Sequence, residues 1–412
     1  MPQDPANPRR AHDSGLEGLR GVAAFFVALS HVYWANLLTG TIIIPPLVKS
    51  FEAGHAGVLI FFMLSGYVIS WTNEGGYSAA AASGYVRRRW IRLAPIYYVA
   101  FLITLLAIRV SGVLEPPRVL VGTFFCLQNF NGYFTAAIDP PMVNGPLWSL
   151  NFEVLYYGLF LLLWRARPRL VWVFAPALLA GILGWTAPSV MPLFISSYCC
   201  GWLFWAGGWW LARQPQVPDS SKYRAPLLSW TLLIVSCHHI AGVTRAMNLL
   251  GLYSKDAGMV TFGDIALIPA ILLVLSGLTR REIPGRKWVE ATAWLVCAVP
   301  VAGMIATGRL LGNPDWIAGA GALVAAVLLL PVRSGRWLKP FAWFGGISYA
   351  FYVIHFPLLY ILGAWHLDGA PVTVFLWRLA AWIALCLGGS WLLERRLQPW
   401  VKLKLAASRR QA

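Results

Sequence analysis

Residues 18–31 read GLRGVAAFFVALSH, which puts an arginine and, eleven positions later, a histidine inside the first apolar segment. A helix needs neither to enter a bilayer, and both are costly there. The chain around this segment is 58% apolar and 12% charged, outside the range of ordinary soluble domains. Its apolar residues come in blocks of about 17–23, the length a helix needs to cross a hydrocarbon core. Twelve blocks qualify: 16–38, 57–73, 92–110, 146–164, 170–187, 191–211, 227–243, 261–278, 288–307, 315–331, 341–363 and 372–393. Because 57–73, 227–243 and 315–331 are short, the expectation is an all-α, polytopic transmembrane helical bundle of about ten to twelve spans.

The net charge of +17 would suit a nucleic-acid partner, but its distribution speaks against one. With the N-terminus inside and twelve crossings, 26 of the 33 Lys and Arg residues fall on the inner side. This is the positive-inside asymmetry of membrane proteins, and it places both termini in the cytoplasm. The expected partner is therefore the lipid bilayer, with no nucleic acid, and the expected location is a bacterial inner (plasma) membrane, multi-pass. The first segment does not resemble a cleaved signal peptide: it carries Glu17 and Arg20, runs long, and ends in YWANLLTG without a small-x-small site.

Three regions follow from this pattern: a polar cytoplasmic tail (1–15), a membrane-embedded domain (16–394) and a basic cytoplasmic tail (395–412). Residues 1–15 and 403–412 are expected to be disordered. The longest extramembrane stretch is 111–145, whose apolar piece VLVGTFFCLQNF (119–130) is too short to span and suits a re-entrant or surface helix. Five of the six cysteines lie in apolar spans and none forms a CxxC, so no structural disulfide is expected.

Eleven residues at about 100° each bring His31 back to within roughly 20° of Arg20, about 16 Å along the same helix face. Ala24, Val27 and Ala28 lie between them, leaving a slim groove with a cation at one end and an imidazole at the other. The structural alternative is close helix packing, with Arg20 reaching lipid headgroups. Depth favours function. His31, Glu153 in GPLWSLNFEVLYYG and His355 in ISYAFYVIHFP all fall about 10–12 Å below the outer boundary. Three ionisable groups from three helices at one level suggest a shared buried site. Ser348, Tyr352 and His355 share one helix face, and Glu153, Tyr156 and Tyr157 another.

A second basic feature, YVRRRWIRLAPIYY (85–98), opens the third segment at its cytoplasmic end. Arg88, Arg89 and Arg92 are suited to phosphate because guanidinium pairs bidentately with oxyanions, although topology alone also favours arginines here. In the second segment Ser65 and Gly66 either admit a ligand or simply pack helices. Cys237, His238 and His239 are consecutive and splay about 100° apart, a poor arrangement for clasping one metal, so no metal is expected. No phosphate-cradling loop, dinucleotide glycine motif or GxSxG elbow is present.

Together these motifs resemble the acyltransferase-3 family of integral-membrane acyltransferases. The resemblance rests on Arg20…His31, FFMLSGY (61–67), RRWIRLAPIY (88–97), WSLNFEVLY (148–156) and SYAFYVIH (348–355), in the family's order along nearly the whole chain. It implies transfer of an acyl group, usually acetyl, from cytoplasmic acyl-CoA to a hydroxyl of a carbohydrate or glycolipid acceptor. Acetyl-CoA then serves as donor substrate, and a homo-oligomer is allowed. By position His31 matches the family's essential histidine, Arg20 its partner, Glu153 the acidic residue after WSL, and Arg88 and Arg92 the third-segment arginines. Arg89 and Ser65 would join the acyl-CoA site, while Trp148, Ser149, Tyr156, Ser348, Tyr349, Tyr352 and His355 would line or support the acceptor site. One departure stands out: where the family has Gly-Val-Asp/Glu, this chain has Gly57-Val58-Leu59. The rival from another class is a transporter or flippase of a lipid-linked glycan that uses the buried His and Glu for proton coupling.

Overall fold

The computed structural model describes residues 8–34, 52–128, 138–217, 225–252, 259–365, 367 and 369–411, with side chains from 14 to 32 at the first end and to 405 at the last. Lys49, Lys222, Arg224, Lys255 and residues 131–137 of the turn-rich 131–146 stretch lie outside these residues. Among the described residues there are helices, one isolated antiparallel bridge between Gln216 and Arg281, and no strand.

The long helices are α1 (Pro8–Trp34), α2 (Gly54–Thr72), α3 (Ala79–Ser111), α4 (Pro117–Phe124), α5 (Trp148–Ala166), α6 (Leu170–Thr186), α7 (Leu193–Ala212), α8 (Leu227–Ile240) and α9 (Gly242–Leu249). After these come α10 (Ile268–Thr279), α11 (Arg286–Ala306), α12 (Pro314–Leu328), α13 (Lys339–Gly345), α14 (Ser348–Gly363), α15 (Pro371–Leu392) and α16 (Gln398–Gln411). Each of the twelve apolar blocks contains helix among its described residues. Eight helices are long and apolar enough to cross a membrane, or nine if the bent pair Arg336–Gly345 and Ser348–Gly363 counts as one broken span. Leu170–Thr186 and Pro314–Leu328 are shorter apolar helices. Among the described residues, 8–15 and 403–411 are helical, so both ends expected to be disordered contain helix.

Local chemistry fixes the ends. Ser78 caps α3, its hydroxyl accepting from the Ala81 N–H at 3.1 Å. The same helix stops at Gly112, whose φ of +70° suits a residue without a side chain. Asn313 caps α12, with Pro314 in the first turn, where its missing N–H costs nothing.

The chain divides into two interleaved compact units, a division the block pattern does not reveal. The first comprises Met1–Val27, Pro45–Glu74 and Pro168–Gly345. Its core locks α2 onto α7 through small residues: a Cβ added at Gly66 would lie 1.9 Å from the Trp205 carbonyl oxygen, and one at Gly208 1.9 Å from that of Met63. Such backbone approach is how transmembrane helices gain packing contact in lipid. The second unit comprises Ala28–Ile44, Gly75–Arg167 and Gly346–Ala412. Tyr85, Phe152, Tyr156 and Phe160 are fully buried in it.

Candidate active site

The second unit gathers the buried polar residues of α1, α5 and α14. His355 is wholly buried on α14. Its Nδ1 lies 2.7 Å from the Tyr352 carbonyl oxygen and 3.2 Å from that of Phe351. Carbonyls only accept, so Nδ1 carries the proton, and in the neutral ring Nε2 is the acceptor. His31 Nδ1 is 2.9 Å from that Nε2 and therefore donates to it. The tautomer of His31 is thereby set, with Nε2 as its basic nitrogen. Packing holds the pair: His355 stacks on Phe351 with centroids 5.5 Å apart, and Phe356 meets His31 edge-on at 5.2 Å. Trp382 Nε1 donates to the His355 carbonyl oxygen at 2.8 Å, tying α15 to the same turn.

A hydroxyl chain supports this turn from α5. Tyr352 Oη donates to the Pro146 carbonyl oxygen at 2.5 Å, so Ser149, 2.6 Å away, donates to Tyr352. Asn144 Nδ2 donates to Thr104 Oγ1 at 2.9 Å and to the Val353 carbonyl oxygen at 3.2 Å. Ser348, Trp148 and Tyr156 are buried around this chain, with the Trp148 ring edge-on to Phe152 at 5.2 Å.

Glu153 turns along its own helix and accepts a hydrogen bond from Tyr157 Oη. The group the structure pairs with the His31 ring is thus His355. Arg20, in the first unit, is bound to Glu17 Oε1 at 2.6 Å one turn away on α1. Ala24, Val27 and Ala28, the slim residues between Arg20 and His31, are buried. Ser65 accepts from Trp205 Nε1 at 3.3 Å and sits in the α2–α7 contact.

The third-segment arginines divide three ways. Arg88 is exposed at the start of α3. Arg89 lies over the Tyr85 and Tyr157 rings, 5.8 Å from each centroid. Arg92 forms an ion pair with buried Glu394, donates to Gln398 Oε1 at 2.9 Å and lies over Tyr349 at 5.6 Å. Gln398 Nε2 returns a bond to the Arg92 carbonyl oxygen at 2.9 Å, and Tyr349 Oη donates to that of Leu93 at 3.0 Å. Glu394 is the second residue of a π-helical turn, Leu393–Leu397, of the kind found at functional sites. Sequence reasoning missed Glu394 and Gln398; the available signal was one carboxylate in the basic run LERRL.

In the first unit, His55 Nε2 lies 3.1 Å from Asp264 Oδ1, at the end of α2 where Leu59 replaces the family's carboxylate. The Asp264 carboxylate also completes a capping box with Thr261. Among the described residues no group of three or more His, Cys, Asp or Glu side chains is arranged to hold a metal.

A family model described as an acyltransferase domain matches residues 13–395. The acyltransferase MdmB of Streptomyces mycarofaciens is 24% identical over 370 residues, covering 85% of this chain and 80% of that protein. Nodulation protein 10 of Rhizobium leguminosarum bv. viciae is 30% identical over 190 residues, covering 39% of this chain and 49% of that protein. The exopolysaccharide production protein ExoZ of Rhizobium meliloti (strain 1021) is 31% identical over 115 residues, covering 27% and 34%. No solved structure matches the chain.

Proposed function

Because the chain belongs to the acyltransferase-3 family of membrane acyltransferases, we propose that it moves an acyl group, acetyl in the simplest case, from cytoplasmic acyl-CoA to a hydroxyl of a carbohydrate or glycolipid acceptor. The observation that carries this reading is the 2.9 Å hydrogen bond from His31 Nδ1 to His355 Nε2. It leaves the other His31 nitrogen as a base held in one tautomer within a membrane-spanning helix. His31 Nε2 takes the proton of the acceptor hydroxyl as its oxygen attacks the thioester carbon. The tetrahedral adduct collapses, the C–S bond breaks, and the thiolate takes the proton back from the imidazolium to leave as free CoA thiol. The His355 lone pair stabilises the cation that forms between these steps, and so acts through His31 as a positioning residue.

Arg88 and Arg92 hold the CoA phosphates, Arg92 in the orientation set by Glu394 and Gln398. Arg20 and Glu153 support this machinery from α1 and α5. Ser149 and Tyr352, with the buried Trp148, Tyr156, Ser348 and Tyr349, shape the acceptor side. The expected setting is a bacterial inner membrane. The name of the exopolysaccharide production protein favours a surface polysaccharide or its lipid-linked precursor as acceptor.

The direct test is release of free thiol from acetyl-CoA by the purified protein with candidate glycan acceptors. A transporter with the same buried histidines releases none, so thiol release absent for every acceptor, alongside glycan movement across vesicles, would overturn the proposal. Mass spectrometry of envelope glycans with and without the gene identifies the acceptor by a shift of one acyl group.

A further inference from the structure

Between α3, α4 and α5, all in the second unit, lies a groove of about 380 Å³ whose walls include Tyr85, Leu93, Tyr98, Phe125 and Gly158. From Tyr85 to Tyr98 it follows thirteen residues of α3, ~20 Å, which is half the ~40–45 Å thickness of a bilayer with its headgroups. One end is closed by α4, the short helix that turns back toward α3. Tyr97 Oη donates to the Thr123 carbonyl oxygen, and Asn151 Nδ2 to that of Cys126 at 2.7 Å. Phe124 stands 5.3 Å from Tyr98 across this closure. The other end carries Arg89, flanked by the Tyr85 and Tyr157 rings. Its Nε is buried without a hydrogen-bond partner. The side is open, with Trp90 61%, Phe125 63% and Val154 41% exposed.

A groove one monolayer deep, apolar along its length, open sideways and closed at the far end suits a hydrocarbon chain. A pantetheine arm would bury its amides there without partners. The guanidinium at the open end asks for an anion, and a phosphodiester is the anion that headgroups present at that level. We infer that the groove binds one acyl chain of an anionic glycerophospholipid from the leaflet on the arginine side, with the lipid phosphate on Arg89. The open flank leaves the second chain in the bilayer, so the surrounding membrane itself supplies the ligand.

The test is native mass spectrometry of the full chain in detergent, titrated with phosphatidylglycerol or phosphatidylcholine, without donor or acceptor. Its outcome is therefore separate from that of the acyl-transfer assay. One phosphatidylglycerol should be retained about tenfold more tightly than phosphatidylcholine, in keeping with a charge-assisted contact. Arg89→Gln should erase that preference and Arg89→Lys should restore part of it. Gly158→Trp should weaken retention of both lipids, because Gly158 lines the groove, a Cβ there meets no atom within 4 Å, and the indole would occupy the space of the acyl chain. Unchanged gel filtration and melting confirm that the variants fold. Equal retention of the two lipids, a Gly158→Trp protein that binds like the parent, or recovery of an isoprenoid phosphate in place of the glycerolipid would each overturn the inference.

Discussion

Replacing His355 by Phe tests the histidine pair most sharply. Phenylalanine keeps a ring against Phe351, where the native stack has centroids 5.5 Å apart and planes 7° from parallel, and it removes the nitrogen that accepts from His31. The Trp382 bond goes to the backbone carbonyl of residue 355, so it survives the change. Besides the local Nδ1–H bond to the Tyr352 carbonyl oxygen, what is lost is the hydrogen bond from His31, whose full value appears only when His31 becomes cationic in the transition state. A hydrogen bond to a charged group is worth about 1.5–3 kcal/mol, which translates into a fall in kcat of about 10- to 150-fold. The donor KM should stay within about twofold, because the contact strengthens after binding. His355→Gln, whose amide oxygen can accept from the same N–H, should recover part of the loss.

The assay is stopped-flow or steady-state thiol release from acetyl-CoA with a saturating acceptor. The double variant His31→Ala/His355→Phe should be no slower than His31→Ala alone, because His355 acts through His31. A folded His355→Phe enzyme with kcat within twofold of the parent would refute the tautomer argument, as would a double variant slowed by the product of the two single effects.

Other substitutions probe the remaining parts. His31→Ala should lower turnover by about 10²–10⁴-fold while the protein still purifies and melts as the parent does, measured by thiol release and thermal unfolding. Arg88→Gln and Arg92→Gln should mainly raise the acyl-CoA KM, and Glu394→Gln should do the same more weakly by freeing Arg92 from its buried partner; initial-rate kinetics across donor concentrations separate the two parameters. Gly208→Leu should prevent accumulation of folded protein in the membrane, since even a Cβ there would meet the Met63 carbonyl oxygen at 1.9 Å; detergent-resistant yield reads this out. Asp264→Ala should lower stability by about 0.5–2 kcal/mol through the lost capping box, visible as a reduced melting temperature.

Helix positions were legible in the sequence because a spanning helix must be apolar along its whole length, and each of the twelve apolar blocks contains helix among its described residues. The count of crossings was less legible: Leu170–Thr186 and Pro314–Leu328 fall below the length of a full span, and the apolar block 341–363 is broken before Ser348. The interleaving of two units was hidden, since local periodicity carries no information on which distant helices pack together. Within the site, equal depth pointed to His31, Glu153 and His355 together, and the structure joins the two histidines while Glu153 bonds Tyr157. Rotation about α5 decides that difference, and depth alone does not contain it. The family resemblance, carried by five motifs in order, is borne out by the match over 13–395. Glu394 escaped notice because its meaning depends on a contact with Arg92, 302 positions away in sequence.

The π-helical turn at Leu393–Leu397 behaves like one residue too many in an otherwise regular rod. Deleting a single residue there would let the ordinary period resume with the downstream faces kept, whereas deleting one from the regular turns of α15 just before it would spin everything downstream by about 100°. Gln398 would swing away from Arg92, and the Leu405 carbonyl oxygen, which now accepts from Arg87 at 3.1 Å, would face another direction. Single-residue indels in the regular turns leading to the bulge are therefore expected to be purged more strongly than point changes there or than loss of the extra residue itself.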